Sequence, residues 1–182
     1  LLDIFIGERF NVDTYGIPGS ISLMINKGDG TFEATYPSEF QNIGMITDIA
    51  YTDINSDNKG DLVVVGEWMP VLVFLNNGSG WESISESIGL AETNGMWQSI
   101  ESSDLNGDGI PDFVLGNMGQ NGLYKPNMKL FLNDYDKNGR LEAIYTYEIG
   151  DKDFPIHDRD ELIKQLPDLK KKLLYYEDYS NL

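Results

Sequence analysis

Short apolar runs alternate with polar segments rich in Asp, Asn and Gly along the first 149 residues. The runs contain mostly β-branched and aromatic residues, and Gly or Asp bounds each of them. Such runs are typical of buried β-strands rather than of helices. One type of run recurs at residues 3–7, 62–66, 113–116 and 143–147.

A second element recurs at residues 21–32 and 71–81. Each copy has an apolar run, a tight Asn/Gly-rich turn and then an aromatic residue, which is the pattern of a β-hairpin. We expect that aromatic residue, Phe32 or Trp81, to lie in the core. Residues 129–133 form a third version that leads directly into an acidic segment. This version fits either the end of one unit or the start of the next.

The second unit shows the full arrangement, with predicted strands at about 46–52, 62–67, 71–76 and 81–85. An acidic loop joins the first two strands and the Asn/Gly turn joins the last two. Four-stranded units that recur every ~40–50 residues indicate a β-propeller. We therefore predict an all-β fold for residues 1–149, a partial β-propeller of about three four-stranded blades.

Residues 150–182 have a different pattern, that of a helical tail or insert. Leucines recur at helical spacing, which predicts helices over 158–166 and 168–176. Pro167 separates them and suits the first turn of the second, and Asp158 or Asp160 can cap the first. This segment either packs on the sheets or docks a partner.

Composition narrows the functional classes. The chain has 182 residues, of which 41% are hydrophobic, so it can bury a core. It has no cysteine, which excludes a disulfide framework and Cys-ligated zinc or iron–sulfur sites. No apolar run is long enough to span a membrane. With 30 acidic and 13 basic side chains the net charge is -17, so we expect no nucleic-acid partner.

The acidic residues concentrate in three loops, at 53–61, 104–112 and 134–142. Each loop has oxygen-bearing side chains at positions 1, 3, 5 and 9, and Gly or Asn at position 6, where a left-handed backbone allows a sharp reversal. Position 7 can contribute its backbone carbonyl. The candidate ligands are Asp53, Asn55, Asp57, Lys59 and Asp61; Asp104, Asn106, Asp108, Ile110 and Asp112; and Asp134, Asp136, Asn138, Arg140 and Glu142.

This ligand set predicts bound Ca²⁺ in the loops at 53–61 and 104–112, and also in the third loop at 134–142. Crowded carboxylates repel one another unless a cation lies between them, and hard oxygen ligands suit calcium. The alternative is a set of plain polar turns, which three copies at the same offsets disfavour. An EF-hand is excluded because position 12 holds Val64, Leu115 or Tyr145 instead of Glu, and because strands flank each loop. Asp3 has the place of position 9 in a fourth loop that would begin before residue 1.

The loop Asp-x-Asn-x-Asp-Gly-x-x-Asp at 104–112, the Phe-Val-Leu-Gly run after it and the Leu-Asn-Asn-Gly-x-Gly-Trp hairpin at 75–81 carry a resemblance. Together they resemble the FG-GAP/VCBS repeats of calcium-binding, integrin α-like propellers. A narrower resemblance to bacterial FG-GAP proteins associated with ASPIC/UnbV modules rests on Val-Gly-Glu-Trp-Met-Pro at 65–70, Asn-Gly-Met-Trp at 94–97 and the segment 159–167.

The resemblance implies a calcium-stabilised scaffold of an exported bacterial protein, located in the periplasm, at the cell surface or outside the cell. It would bind a protein or carbohydrate ligand on the propeller face. Trp68 and Trp97 are candidates for that face, or else pack between blades. Such propellers usually have seven blades, so the chain resembles a fragment. Its exposed blade edges would then self-associate, unless the tail covers them.

Two other functions are alternatives to a binding scaffold. A glycan-processing enzyme would need a pair of carboxylates, but the acids outside the loops, such as Glu67, Glu101 and Glu148, show no defined pairing in the sequence. His157 is expected to be a surface residue near a helix start rather than a general base. We therefore expect a protein that is not an enzyme. A purely structural module of a larger surface protein is the remaining alternative.

Overall fold

The computed structural model of the protein describes residues 1–12, 14–119, 128–175, 177 and 179. These residues form mostly antiparallel β-structure and one short α-helix, which confirms the predicted predominance of β-strands. The elements are β1 (Ile4–Gly7), β2 (Ile21–Asn26), β3 (Phe32–Thr35), β4 (Met45–Thr52), β5 (Asp61–Met69), β6 (Leu72–Asn76), β7 (Trp81–Ser83), β8 (Gly95–Ser103), β9 (Asp112–Asn117), β10 (Met128–Asn133), β11 (Glu142–Ile149), β12 (Lys152–Pro155) and α1 (Arg159–Gln165).

The second unit has the predicted arrangement. Strands β4, β5, β6 and β7 pair in chain order, all antiparallel. The first acidic loop joins β4 to β5 and the Asn/Gly turn joins β6 to β7. Beyond this unit, the end of β5 turns away from β6 and pairs with β8, which in turn pairs with β9. The predicted strands of this unit are thus confirmed.

Two three-stranded sheets complete the fold, one with the order β1-β2-β3 and one with the order β10-β11-β12. The second of them settles the place of residues 129–133. They lie in β10, which pairs with β11 across the third acidic loop and so begins this unit. Strand β12 was not predicted, and it pairs with the end of β11.

Strand β5 supplies both faces of the core. Because side chains alternate along a strand, Leu62 and Val64 point into one hydrophobic cluster and Val63 and Val65 into another. The first cluster includes Ile21 and Phe40 and also contacts Phe5 of the first sheet. The second cluster includes Ile100 of β8. The unit β4–β7 is therefore covered on both faces.

The two hairpin aromatics differ in burial. Trp81 packs in the first cluster, with its ring 5.3 Å from that of Phe40. The prediction of a core position is wrong for Phe32, which is 41% exposed. Ile4 and Ile6 lie on the same face of the first sheet and are each 46% exposed. Among the described residues this face has no covering sheet, so Phe32 has no partner layer.

The tail matches its prediction only in part. Helix α1 is confirmed, and the Asp158 carboxylate caps it by accepting a hydrogen bond from Glu161 N at 2.9 Å. The second predicted helix is wrong, because Pro167–Lys171 is only a 3₁₀ helix, and Tyr176 lies outside the described residues. A segment this short has little helical stability of its own. No helix in the described part of the chain is long and apolar enough to cross a membrane.

Candidate functional site

The three acidic loops share one hydrogen-bond pattern around position 1. Its carboxylate accepts the backbone N–H of position 5 on one oxygen and that of position 6 on the other. The first loop has Asp57 N–Asp53 Oδ1 at 3.1 Å and Asn58 N–Asp53 Oδ2 at 2.8 Å, the second has Asp108 N–Asp104 Oδ1 at 3.2 Å and Gly109 N–Asp104 Oδ2 at 2.9 Å, and the third has Asn138 N–Asp134 Oδ1 and Gly139 N–Asp134 Oδ2, both at 2.9 Å.

Position 9 closes each loop. Its carboxylate accepts the backbone N–H of position 2, with Ile54 N–Asp61 Oδ2, Leu105 N–Asp112 Oδ2 and Tyr135 N–Glu142 Oε2 all at 2.9 Å. The longer Glu142 therefore makes the same bond as the two aspartates. Positions 3 and 5 also act alike, since position 3 accepts from the N–H of position 5 and position 5 accepts from that of position 7, which is Lys59, Ile110 or Arg140.

The backbone reverses at two positions in each loop. Position 6 has a left-handed φ in all three, at Asn58 (65°), Gly109 (83°) and Gly139 (86°), as its residue types predict. Position 4 is left-handed as well, at Ser56 (62°), Gly107 (81°) and Lys137 (61°). The residue types at position 4 do not predict this reversal, because Ser and Lys give no sign of a left-handed backbone.

The loops differ in how close their carboxylates lie. In the third loop Asp134, Asp136 and Glu142 each place one ligand oxygen within 4.8 Å of the others. Among the described residues, no other three Asp, Glu, His or Cys side chains bring their ligand atoms this close together. The Asn138 amide also donates to Asp136 Oδ2 at 2.9 Å. The third loop therefore fits a divalent cation best.

In the first two loops a neighbouring donor engages the position 5 carboxylate. Asp57 Oδ2 lies 2.7 Å from the Lys59 ammonium, and Asp108 Oδ2 accepts from the Asn106 amide at 3.0 Å. The Lys59 hydrogen bond holds the pKa of Asp57 below its ordinary value. The backbone N–H groups of Gly109 and Gly107 lower the pKa of Asp104 in the same way. These loops thus hold ionised carboxylates even without a cation.

Asp3 makes a hydrogen bond that corresponds to one made by Asp61, which is position 9 of the first loop. Asp3 Oδ1 accepts from Asn26 N, and the Asn26 amide donates to the Leu2 carbonyl at 3.1 Å. The corresponding amide of Asn76 donates to the Gly60 carbonyl at 3.3 Å. In both sheets this aspartate is therefore tied to the last residue of the adjacent strand, where the hairpin turn begins.

A second group of polar residues surrounds Glu67, which the sequence left without a pairing. Its side chain is 3% exposed and forms an ion pair with Arg9. Tyr15 Oη donates to it at 2.7 Å and Gln98 Nε2 at 3.3 Å. Burial raises the pKa of Glu67, but the hydrogen bonds from Arg9, Tyr15 and Gln98 outweigh that effect and lower it below its ordinary value. The carboxylate links three segments that are distant in sequence.

Trp68 follows Glu67 at a register shift between β5 and β8. Its φ of 59° is rare for a bulky side chain. Its indole Nε1 donates to Tyr15 Oη at 3.0 Å, and its ring lies 6.1 Å from that of Tyr145. Trp97 instead packs against the second cluster and donates to the Thr93 carbonyl at 2.9 Å, so it is a core residue.

Tyr145 joins this group to a groove. Its ring centroid lies 6.1 Å from that of Tyr15 and 5.6 Å from that of His157. The His157 side chain is 23% exposed, so the prediction of a surface residue is wrong, although it does precede a helix start. The groove has a volume of about 330 Å³, and Thr14, Tyr15, Leu141, Glu142, Tyr145 and Gln165 line it.

One sequence signal marks this region, the charged Glu67 and the bulky Trp68 at the end of an apolar strand. It could not reveal the contacts with Arg9 and Tyr15, since these come from the connection between β1 and β2. Leu141 and Glu142 belong both to the third acidic loop and to the described lining of the groove. The groove therefore borders the third loop.

Comparison with protein families gives a match for part of the chain. Residues 53–115 match the family model described as an FG-GAP-like repeat. This range begins at position 1 of the first acidic loop and ends in β9, just after the second loop. No curated protein and no solved structure is significantly similar to the chain.

Proposed function

We propose that the chain is a calcium-stabilised scaffold of β-propeller repeats that binds a protein or carbohydrate ligand. The shared hydrogen-bond pattern of the three loops and the FG-GAP-like match over residues 53–115 support it. A cation in each loop would hold the strand ends together and relieve repulsion between carboxylates. Two ions would be held by Asp53–Asp61 and Asp104–Asp112, and a third by Asp134–Glu142.

The observation that carries the cation proposal is the convergence of Asp134, Asp136 and Glu142. Three carboxylates this close suit a hard divalent ion, and oxygen donors favour Ca²⁺ over softer metals. The chain has no cysteine. Its one histidine, His157, is in contact with Tyr145 rather than with a loop.

We place the protein outside the bacterial cytoplasm, at the cell surface or in the periplasm. Extracellular calcium modules work at ~10⁻⁴–10⁻³ M, which exposed loops of this kind can match. We also propose that the protein is related to the bacterial FG-GAP proteins associated with ASPIC/UnbV modules. The open face with Ile4, Ile6 and Phe32 supports self-association.

A binding function is favoured over catalysis because of Glu67. A catalytic carboxylate must be free to exchange a proton or attack, whereas Glu67 is engaged by Arg9, Tyr15 and Gln98. The carboxylates of the acidic loops are assigned to cations. We therefore propose that the chain acts by binding. A purely structural role is the alternative, and it does not account for the groove beside the third loop.

Calcium titration tests the proposal. Thermal unfolding is followed in EDTA, in Mg²⁺ and in Ca²⁺ up to about 5 mM, a range that covers extracellular affinities. We expect the melting temperature to rise with Ca²⁺ and to rise less with Mg²⁺, because an ion that binds only the folded state stabilises it by mass action. An unchanged melting curve, together with no heat of Ca²⁺ binding in calorimetry, would contradict the proposal.

A further inference from the structure

The groove beside the third loop has the features of a preformed ligand site. Its volume of about 330 Å³ falls in the range of roughly 300–1,000 Å³ that is usual for small-molecule sites. The tyrosines on its wall come from separate parts of the chain, Tyr15 from the β1–β2 connection and Tyr145 from β11. The groove thus forms only when the sheets have assembled.

Both tyrosine rings are held in place. Tyr15 Oη donates to Glu67 at 2.7 Å and accepts from Trp68 Nε1 at 3.0 Å. Tyr145 lies between the rings of Tyr15, Trp68 and His157. Rigid aromatic surfaces lose little entropy when a ligand binds. The left-handed Trp68 adds a second sign, since strained backbone of this kind clusters at binding sites.

The polar groups on the rim indicate what the ligand contains. Thr14 offers a hydroxyl and Gln165 an amide, so both donors and acceptors line the groove, while the Glu142 carboxylate beside them is assigned to the cation of the third loop. Among the described residues that line it there is no Lys or Arg, and the chain has a net charge of -17. An anionic ligand is therefore disfavoured, and a neutral ligand with many hydroxyl groups fits.

A peptide strand fits less well. Peptides that extend a sheet need an unpaired strand edge. In β11, residues 142–147 pair with β10 and residues 146–149 pair with β12, and the Tyr145 carbonyl accepts from Ile156 N at 2.9 Å. Among the described residues, only the three at 142–144 lack a second strand, and this edge is shorter than a usual strand of about 5–6 residues. Recognition must therefore come from side chains.

We propose that the groove between the β1–β2 connection and β11 binds a neutral carbohydrate, with Tyr15 and Tyr145 as its aromatic surface and Gln165 and Thr14 as hydrogen-bond partners. A sugar ring presents an apolar C–H face to an aromatic ring and its hydroxyls to polar side chains. This inference rests on the proposed binding function and narrows it to one ligand class and one site.

The test uses the full chain in about 1 mM Ca²⁺, a concentration in the range of the affinities of extracellular calcium sites. Neutral oligosaccharides cut from glucans, xylans, mannans and galactans are screened by calorimetry, with oligogalacturonate as an acidic comparison. We expect one neutral class to bind and the acidic one not to. Gln165→Ala should weaken binding roughly fivefold to tenfold, the effect of one lost hydrogen bond, and Tyr145→Ala should abolish it.

Matched controls separate the site from the fold. Gln41→Ala and Tyr36→Ala change exposed residues of the same types that do not line the groove, and both variants should bind as the unaltered chain does. Since Tyr145→Ala can disturb packing, the exposed Gln165 carries the decision. Equal binding by the Gln165 and Gln41 variants would overturn the proposal, as would competition of the bound sugar by a peptide.

The outcome also separates this proposal from the broader one. If Ca²⁺ raises the melting temperature but no neutral oligosaccharide binds at about 1 mM, a weak limit for specific recognition, the carbohydrate site is wrong and the calcium scaffold stands. If sugars bind at this groove without any response to Ca²⁺, the calcium proposal fails and the groove stands. Absence of both responses overturns both.

Discussion

Asp61 Oδ1 accepts a hydrogen bond from the backbone N–H of Asn76 at 2.8 Å, and so ties the first acidic loop to the hairpin turn. Its other oxygen accepts from Ile54 N at 2.9 Å. The first sheet repeats the bond between Asp3 and Asn26 at 2.8 Å. Asp61 is fully buried whereas Asp3 is exposed, so the two equivalent bonds differ in their surroundings.

We expect Asp61→Ala to lower the free energy of unfolding by about 2–4 kcal/mol, because two backbone N–H groups lose their acceptor and each buried loss costs about 1–3 kcal/mol. Asp3→Ala is the matched control and should cost less than about 1 kcal/mol, as exposed substitutions do. Urea unfolding of both variants in EDTA measures the difference without a cation. Equal losses would show that burial of Asp61 does not matter.

Trp81 and Phe32 have equivalent places after their hairpin turns but different burial. Trp81→Ala should cost about 2–4 kcal/mol, since it removes a large ring from the first hydrophobic cluster. Phe32→Ala should cost less than about 1 kcal/mol in a monomer. Urea unfolding at low protein concentration checks both values. A large loss for Phe32→Ala that grows with protein concentration would instead show that a second copy covers the open face.

The strands were predictable from the sequence because each apolar run carries its own signal, as in β5 and its neighbours. The sequence does not show which sheet packs against each face of a given sheet. The hairpin pattern is the same at Phe32 and Trp81, and only the neighbouring sheet decides which ring is buried. Likewise, the partners of Glu67 are 58 and 52 residues away at Arg9 and Tyr15, with no pattern that links them.

The shared layout of the loops was predictable for a similar reason, since the offsets 1, 3, 5 and 9 lie within one short segment. The left-handed backbone at position 6 followed from Asn and Gly. At position 4 the left-handed backbone does not follow from the residue types Ser56 and Lys137. There the side chains at positions 1, 3 and 5, together with the reversal at position 6, fix the turn regardless of residue type.

Gly109 tests the cost of this backbone. Its φ is 83°, and a Cβ atom placed on it would meet no atom within 4 Å. Gly109→Ala should therefore cost about 1–2 kcal/mol through backbone strain alone. Gly109→Asn is the matched variant and should cost less, as Asn58 already holds this conformation in the first loop. Chemical unfolding in EDTA measures both, and equal losses would contradict the strain argument.

The third loop provides the sharpest test of the cation proposal. Asp134→Asn and Glu142→Gln should each reduce the part of the Ca²⁺-induced rise in melting temperature that comes from this loop, because each removes a charge from the converging group. Glu148→Gln changes an exposed acid outside the loops and should leave the rise unchanged. Melting temperatures at several Ca²⁺ concentrations give the comparison. A full calcium response in both loop variants would exclude the third loop as a site.

Glu67 should make folding stability depend on pH in acid. Its pKa in the folded protein lies below the ordinary value of 4.5, so the unfolded chain binds a proton more readily than the folded one. Its stabilising contribution is therefore complete above about pH 4.5 and is lost as the pH falls through the folded pKa.

Glu67→Gln removes this contribution at every pH. The free energy of unfolding of the variant, measured against that of the unaltered chain, should lie about 1–3 kcal/mol lower at neutral pH, the usual worth of hydrogen bonds to a charged group, and the gap should narrow toward pH 3. Gln98→Ala, which removes one donor and no charge, is the control and should show a smaller gap. A gap for Glu67→Gln that stays constant down to pH 3 would show that the carboxylate charge does not stabilise the junction between the sheets.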